Sequence, residues 1–189
     1  DEGAIEARNE GDAKAVFIAA ARTVEAVYEA PYLSHSPIEP WSCTAELDAG
    51  GVLHLWAPSQ SQDRYRDLAA ETAGLPAAKV RIHTTLLGGG FGRRLSADGI
   101  PGAVRTAMAG KKPVKFFWTR EDETAQGYYR PAQAARMRAA LDADGNVTAF
   151  ALRTAGPALG PSPASLPQGE LDRSAVAVLR DARYRPGAF

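Results

Sequence analysis

Cysteine is almost absent from this chain: of 189 residues, only Cys43 carries a thiol. That excludes an internal disulfide framework and any iron–sulfur cluster ligated by this chain alone. Cys43 itself reads as a buried structural thiol, because free cysteine packs as a small hydrophobe. Histidine is nearly as scarce. His35, His54 and His83 are too scattered for a His-x-His or His-Glu-x-x-His metal pair. No serine sits in a nucleophile elbow, so no Ser–His–Asp arrangement can be argued. Net charge is absent too: 22 basic residues stand against 22 acidic ones. A general nucleic-acid footprint needs a basic excess, and none exists. No apolar run approaches the ~20 residues that a membrane-spanning helix requires. The 45% hydrophobic content suits one globular domain with an adequate core. The chain begins at Asp1 without Met and ends at Phe189 without a cap. The expectation is an excised piece of a longer polypeptide.

Glycine is what the chain has in quantity, and its placement is informative. Gly88-Gly89-Gly90-Phe91-Gly92-Arg93-Arg94 follows a run that reads as a strand over 80–87. Glycines adopt backbone angles closed to other residues and let a ligand approach the main chain. Successive amides in such a turn can form an anion-binding concavity. A flexible linker has little use for the interrupting Phe91. The two familiar glycine-loop readings fail. A dinucleotide fingerprint wants a third glycine where Arg93 stands, and a P-loop wants Gly-Lys-Ser/Thr. The loop looks built for a ligand, but not for NAD or ATP through the common motifs.

The rest of the chain supplies a frame. Asp12 caps a short helix expected over 14–22. Alternation predicts a strand over 24–32, and Pro31, Pro37 and Pro40 make the next stretch an extended loop. Strands over 42–47 and 52–57 flank Asp48-Ala49-Gly50-Gly51, a hairpin signal. After Pro58, Ser59-Gln60-Ser61 offers caps for a helix carrying Tyr65, Leu68, Ala69 and Thr72, stopped by Gly74 and Pro76. Pro101 opens another helix, with Gly110 after its end. A strand over 114–118 enters a polar run. Residues 132–140 have the alanine content of a helix but alternate; with Asp144-Gly145 and the alternation over 147–154 they read as a β-hairpin. Four prolines and three glycines make 156–169 a linker. A short helix is expected over 174–180. Strands interleaved with helices, plus two hairpins, give an α+β fold: a mixed β-sheet with helices packed on one side.

Few side chains outside the loop stand out. His83 shares a polar face with Arg81 and Thr85, and solvent exposure is expected. His54 reads as a sheet-face residue, and His35 as equally suited to a structural hydrogen bond or a functional role. Asp122 and Glu123 read as a solvated acidic turn. Arg130, between Tyr128-Tyr129 and Pro131, has a planar fork suited to orienting a polar substrate. By residue type alone it is a surface arginine. Gln60 lies where the chain leaves the sheet, a place that often borders ligand crevices. By itself it reads as a cap or an exposed side chain.

Together these pieces resemble one family. Trp56-Ala57-Pro58-Ser59-Gln60 followed by Gly88-Gly89-Gly90-Phe91-Gly92 is similar to the molybdenum-binding subunit of the xanthine dehydrogenase/aldehyde oxidase family. The Gly-Gly-Gly-Phe-Gly-Arg-Arg form, with Tyr28-Glu29-Ala30-Pro31-Tyr32, His35, Glu39-Pro40 and Cys43-Thr44-Ala45, most resembles the isoquinoline 1-oxidoreductase beta subunit. Pro113-Val114-Lys115, Trp118 to Asp122 and Tyr129-Arg130-Pro131 add to it. The likeness covers roughly 25–154.

The resemblance implies a molybdopterin cofactor, in a cytosine dinucleotide form, with Mo and no direct protein ligand to the metal. It implies that Gln60, Gly89, Gly90, Phe91 and Gly92 bind the cofactor and that Arg130 orients the substrate. It implies [2Fe–2S] clusters on a small partner subunit, a remaining part of the large subunit, and a small-molecule substrate. That substrate is an N-heteroaromatic compound or an aldehyde, oxidised with water-derived oxygen. Arg93-Arg94-Leu95 replaces the Gly-Lys-Glu of purine-oxidising relatives, which counts against xanthine. The family's catalytic glutamate has no counterpart in the chain, so this piece alone should be inactive. The expected organisation is 1–155 as part of the molybdopterin-binding domain and 156–189 as a linker opening the next segment. Bacterial relatives leave periplasm and cytoplasm both open. The rival reading is a non-catalytic scaffold domain or a degenerate relative without cofactor.

Overall fold

The computed structural model describes residues 3–158, 170–172 and 175–176. The linker expected over 156–169 and the helix expected over 174–180 fall largely outside them. The chain divides into two compact units, Ser34–Arg130 and the flanking Asp1–Leu33 with Pro131–Phe189.

The flanking unit is a three-stranded antiparallel sheet. Helix α1 (Ala13–Ala19) starts at Asp12, whose side chain accepts from Ala15 N. It is shorter than expected, because strand β1 already begins at Arg22 and runs to Ala30. A two-residue strand, β2 (Leu33–Ser34), follows at the division between the units. Far along the chain, the alanine-rich segment is a strand, as its alternation required. Pairing overrides helix propensity there.

In the central unit the hairpin is β3 (Ser42–Leu47) and β4 (Leu53–Ala57), paired antiparallel. Helix α2 (Gln62–Ala73) ends at Gly74, whose left-handed backbone lets its N–H cap Ala70 O and Glu71 O. The chain then returns as β5 (Val80–Thr84), parallel to β4. Strand β5 stops three residues short of expectation. Pro58 ends its partner, and Thr85 N makes the last bond, to Ala57 O. Helix α3 (Ile100–Gly110) carries proline in its first turn. Gly110, expected just after its end, is its last residue, and Lys111 takes the left-handed capping angle. Strand β6 (Val114–Phe117) pairs with β3, giving the sheet order β5-β4-β3-β6.

Alternation along β3 and β4 sorts the two faces. Cys43, Ala45, Leu53, Leu55 and Ala57 point into a core shared with Tyr65, Ala69, Ile100, Val104 and Ala107 of the two helices. The expected arrangement of helices on one side of a mixed sheet is therefore observed. Cys43 is buried, and burial pushes its thiol up to about 12.

After β6 comes a helix that the sequence reading missed, α4 (Arg120–Gln126). Thr119 and Asp122 form a reciprocal capping box at its start. The two-residue strand β7 (Tyr129–Arg130) closes the central unit. In the flanking unit, β8 (Gln133–Leu141) pairs with both β1 and β9 (Val147–Ala155). The β8–β9 turn is held by Asp142, which accepts from Asp144 N and Asn146 N, with Gly145 at φ +87°. The small core of that unit is Ala140 and Ala149 against Ala13, Val16, Phe17 and Ala20.

Candidate cofactor-binding site

The loop that leaves β5 is held at both ends by Glu39. At the entry, Gly88 N donates to Glu39 Oε2 at 2.8 Å, and Glu39 N donates back to Gly88 O at 3.1 Å. At the exit, Arg94 Nη2 donates to the Glu39 carbonyl.

Beneath the loop lies a buried charge cluster. Arg93 and Arg94 are 2% and 0% exposed, and Glu123 on α4 is 2% exposed. Glu123 therefore is not part of a solvated acidic turn, as the sequence suggested; only Asp122 is exposed. The Glu123 carboxylate pairs with Arg94 Nη1 and Arg93 Nε, each at 3.2 Å, and accepts from Trp41 N. Arg93 also forks onto both Asp98 oxygens at 2.9 Å and stacks over the Trp118 ring at 5.3 Å. Burial works against the Arg93 charge, yet Asp98 and Glu123 outweigh it and hold its pKa above the ordinary value.

The loop crest faces Gln60. Gln60 Oε1 accepts from Gly92 N and from Arg94 N, both at 3.2 Å. Two backbone donors dictate which end of this amide is oxygen. Its NH2 group is then the outward end, and it makes no hydrogen bond among the described residues. Gly90 is buried, and a Cβ there would lie 2.5 Å from Gln60 Oε1. Glycine is required for Gln60 to sit where it does. Gly89 and Gly92 have φ of +98° and +92°, and Phe91, a bulky residue, has +52°. The Phe91 N–H also makes no hydrogen bond among the described residues. Its carbonyl accepts from Arg130 Nη2 at 2.7 Å. The structure thus brings together Gln60, Gly89, Gly90, Phe91, Gly92 and Arg130.

One further residue borders the loop. His35 Nδ1 lies 3.1 Å from Tyr128 O. A carbonyl only accepts, so Nδ1 carries the proton and Nε2 is left as an acceptor. Nε2 lies 3.8 Å from where a Cβ on Gly92 would stand. Burial first, then the Arg130 and Arg93 charges, lower the His35 pKa, against the Tyr128 carbonyl and Glu123. Between the ordinary value of ~6.5 and this lower one, the unfolded chain binds more protons than the folded one. Stability should therefore fall as pH drops through that window and level off below it. His35→Gln keeps a donor for Tyr128 and should remove that part of the fall, measured as the difference between variant and wild-type thermal unfolding from pH 7.5 to 5.

His54 and His83 belong elsewhere, on the sheet face away from the helices. Their nitrogens are 2.9 Å apart, and both rings stack beside Trp56. His83 is exposed, as expected. Among the described residues, no group of three or more His, Cys, Asp or Glu side chains could hold a metal. No helix among them is long and apolar enough to cross a membrane.

The site thus offers outward N–H donors and tight backbone curvature. That set suits a bulky cofactor bearing anionic or oxo oxygens. The profile of the molybdopterin cofactor-binding domain family matches residues 2–178, and the chain belongs to that family. Among individual proteins, it is 35% identical over 145 residues to the aldehyde oxidoreductase molybdenum-binding subunit PaoC of Escherichia coli K12. That alignment covers 76% of this chain and 20% of PaoC. It is 35% identical over 106 residues to the isoquinoline 1-oxidoreductase subunit beta of Brevundimonas diminuta, covering 56% of this chain and 14% of that one. The aldehyde oxidoreductase structure from Desulfovibrio gigas superposes with a TM-score of 0.69 at 22% identity, over 78% of this chain and 16% of that one. At that identity the superposition establishes the fold. The chain spans about a fifth or less of these relatives.

Proposed function

We propose that this chain forms one wall of the cofactor site in a molybdenum hydroxylase that oxidises an N-heteroaromatic compound or an aldehyde. The observation that carries the reading is the Gln60 amide, its oxygen pinned by Gly92 N and Arg94 N and its NH2 turned outward. When bound, the molybdopterin cofactor supplies Lewis-acid activation of water and a two-electron acceptor. Gln60 Nε2 and the Phe91 N–H direct fixed donors at the oxygen-bearing end of that cofactor. Preorganised donors stabilise charge there without reorganising. Gly89, Gly90 and Gly92 allow the close backbone approach. Arg130 holds Phe91 O with Nη2, and its Nε and Nη1 remain to orient a substrate nitrogen or carbonyl.

The cytosine dinucleotide form of the cofactor and [2Fe–2S] clusters on a small partner subunit complete the proposal. The catalytic glutamate and the other cofactor wall come from the remaining part of the large subunit. The piece alone is then inactive. Residues 1–155 belong to the molybdopterin-binding domain, and 156–189 open the next segment. Xanthine is disfavoured, since Arg93 and Arg94 are committed to Asp98 and Glu123 and offer nothing to a purine. A periplasmic or a cytoplasmic home suits this chemistry equally.

Metal and pterin analysis of the full-length subunit with its small partner tests the reading. One molybdenum and one pterin per subunit are expected, and absence of both sinks it. Arg130→Ala should keep that molybdenum but lose ~2–4 kcal/mol of transition-state stabilisation, seen mainly in kcat across N-heterocycles and aldehydes.

A further inference from the structure

We infer that Arg130 is a positioning residue for Gln60, acting through the single peptide group that joins Phe91 to Gly92. The inference rests on the cofactor-facing role proposed above for Gln60. That peptide group is held at both ends. Its carbonyl accepts from Arg130 Nη2 at 2.7 Å, and its N–H donates to Gln60 Oε1 at 3.2 Å.

A peptide group is planar and stiff, so its C=O and N–H turn together. A charged donor on the oxygen also polarises the N–H and strengthens its donation. The side-chain amide of Gln60 is planar as well. Fixing Oε1 therefore fixes the direction in which Nε2 points. The hold is needed because Phe91, a bulky residue, sits at φ +52°, which is disfavoured for it, while Gly92 at +92° is free to turn. Rotation of this peptide plane would carry the Gly92 N–H away from Gln60, and Arg130 opposes that rotation. Arg94 N remains on Oε1 at 3.2 Å. One donor leaves the amide free to swing about it, whereas two set its plane. Arg130 thus reaches the cofactor-facing donor without touching it.

The test uses the full-length subunit with its small partner, in wild type, Arg130→Ala, Arg130→Lys, Gln60→Ala and the Arg130→Ala/Gln60→Ala pair. Two readouts are taken: deuterium exchange over 88–95, and the Mo(V) electron paramagnetic resonance signal. Arg130→Ala should speed exchange about tenfold or more, as expected for a lost hydrogen bond to a charged donor. It should also move the resonance signal toward that of Gln60→Ala. Arg130→Lys should fall between, because an ammonium still donates to Phe91 O but without the fork's fixed geometry. The pair should resemble Gln60→Ala alone in resonance, since both changes act on one donor. If Arg130→Ala keeps wild-type exchange and a wild-type signal while Gln60→Ala shifts the signal, the coupling does not exist. If the full-length subunit holds no molybdenum, the proposed function fails, and the exchange measurement alone still decides the coupling.

Discussion

Glu123→Ala is expected to cost the subunit ~3–5 kcal/mol of unfolding free energy, the loss typical when one partner of a buried ion pair is removed. Two donors lose their acceptor at once, Arg94 Nη1 and Trp41 N, and Arg93 Nε loses its ion-pair partner. Arg93 keeps Asp98. Arg94 keeps only the Glu39 carbonyl, and a guanidinium that is 0% exposed cannot turn to water for a replacement. Trp41 is buried with it, just before β3. The damage should therefore reach both the sheet and the glycine loop. Glu123→Gln should lose less, because its amide oxygen still accepts from Trp41 N while the arginines lose their counter-charge. Glu121→Ala, two residues earlier in the same turn and exposed, should stay within about 0.5 kcal/mol. Urea unfolding of the three variants checks this. If Glu123→Ala behaves like Glu121→Ala, the carboxylate is not the hub the geometry describes.

The position of Glu123 shows where sequence reading stopped. The frame was legible because its signals are local. Alternation over 42–47 and 52–57 with Asp48 to Gly51 between them gave the β3–β4 hairpin, and Gly74 stopped α2 where expected. Alternation also won over alanine content in β8, since a strand needs its apolar residues on one face and a helix would have scattered them. The ligand loop was legible because three glycines, an aromatic and a fourth glycine have few structural uses together. What failed depended on distant partners. Arg94 and Glu123 are 29 positions apart, and His35 and Tyr128 are 93 apart. No local pattern says that a charged residue will be buried against one so far away. The end of β5 is set by Pro58 of its neighbour. One miss was avoidable: Thr119 and Asp122 have the spacing of a capping box, which marks a helix start and not an open turn. Placing α4 would have put Glu123 in its first turn. The same limit applies to Glu39, whose Pro40 neighbour marked a loop but not that its carboxylate and carbonyl hold both ends of another one.

Replacing Gly92 by valine should abolish molybdenum retention while leaving the core of the central unit folded. Space is not the obstacle: an added Cβ would meet nothing closer than His35 Nε2 at 3.8 Å. The obstacle is the backbone, since φ is +92° and a β-branched residue is a genuine outlier at positive φ. The chain must relax to negative φ, and that turns the Phe91–Gly92 peptide. Three contacts then go together. Gly92 N leaves Gln60 Oε1, Phe91 O leaves Arg130, and the turn closed by Arg93 N on Gly90 O at 2.7 Å opens. None of the three is part of the core formed by Tyr65, Leu53, Leu55, Ile100 and Val104, so the unfolding transition should move far less than in Glu123→Ala. A cofactor held from several sides loses affinity steeply when one wall is reshaped. Metal analysis of the purified full-length variant should therefore show at least a tenfold fall in molybdenum per subunit, on the scale of ~1.4 kcal/mol or more of lost binding. Gly92→Ala should fall less, because alanine lacks the β-branch that makes positive φ most costly. If Gly92→Val retains full molybdenum and normal turnover, the loop does not line the cofactor and its glycines serve only the turn.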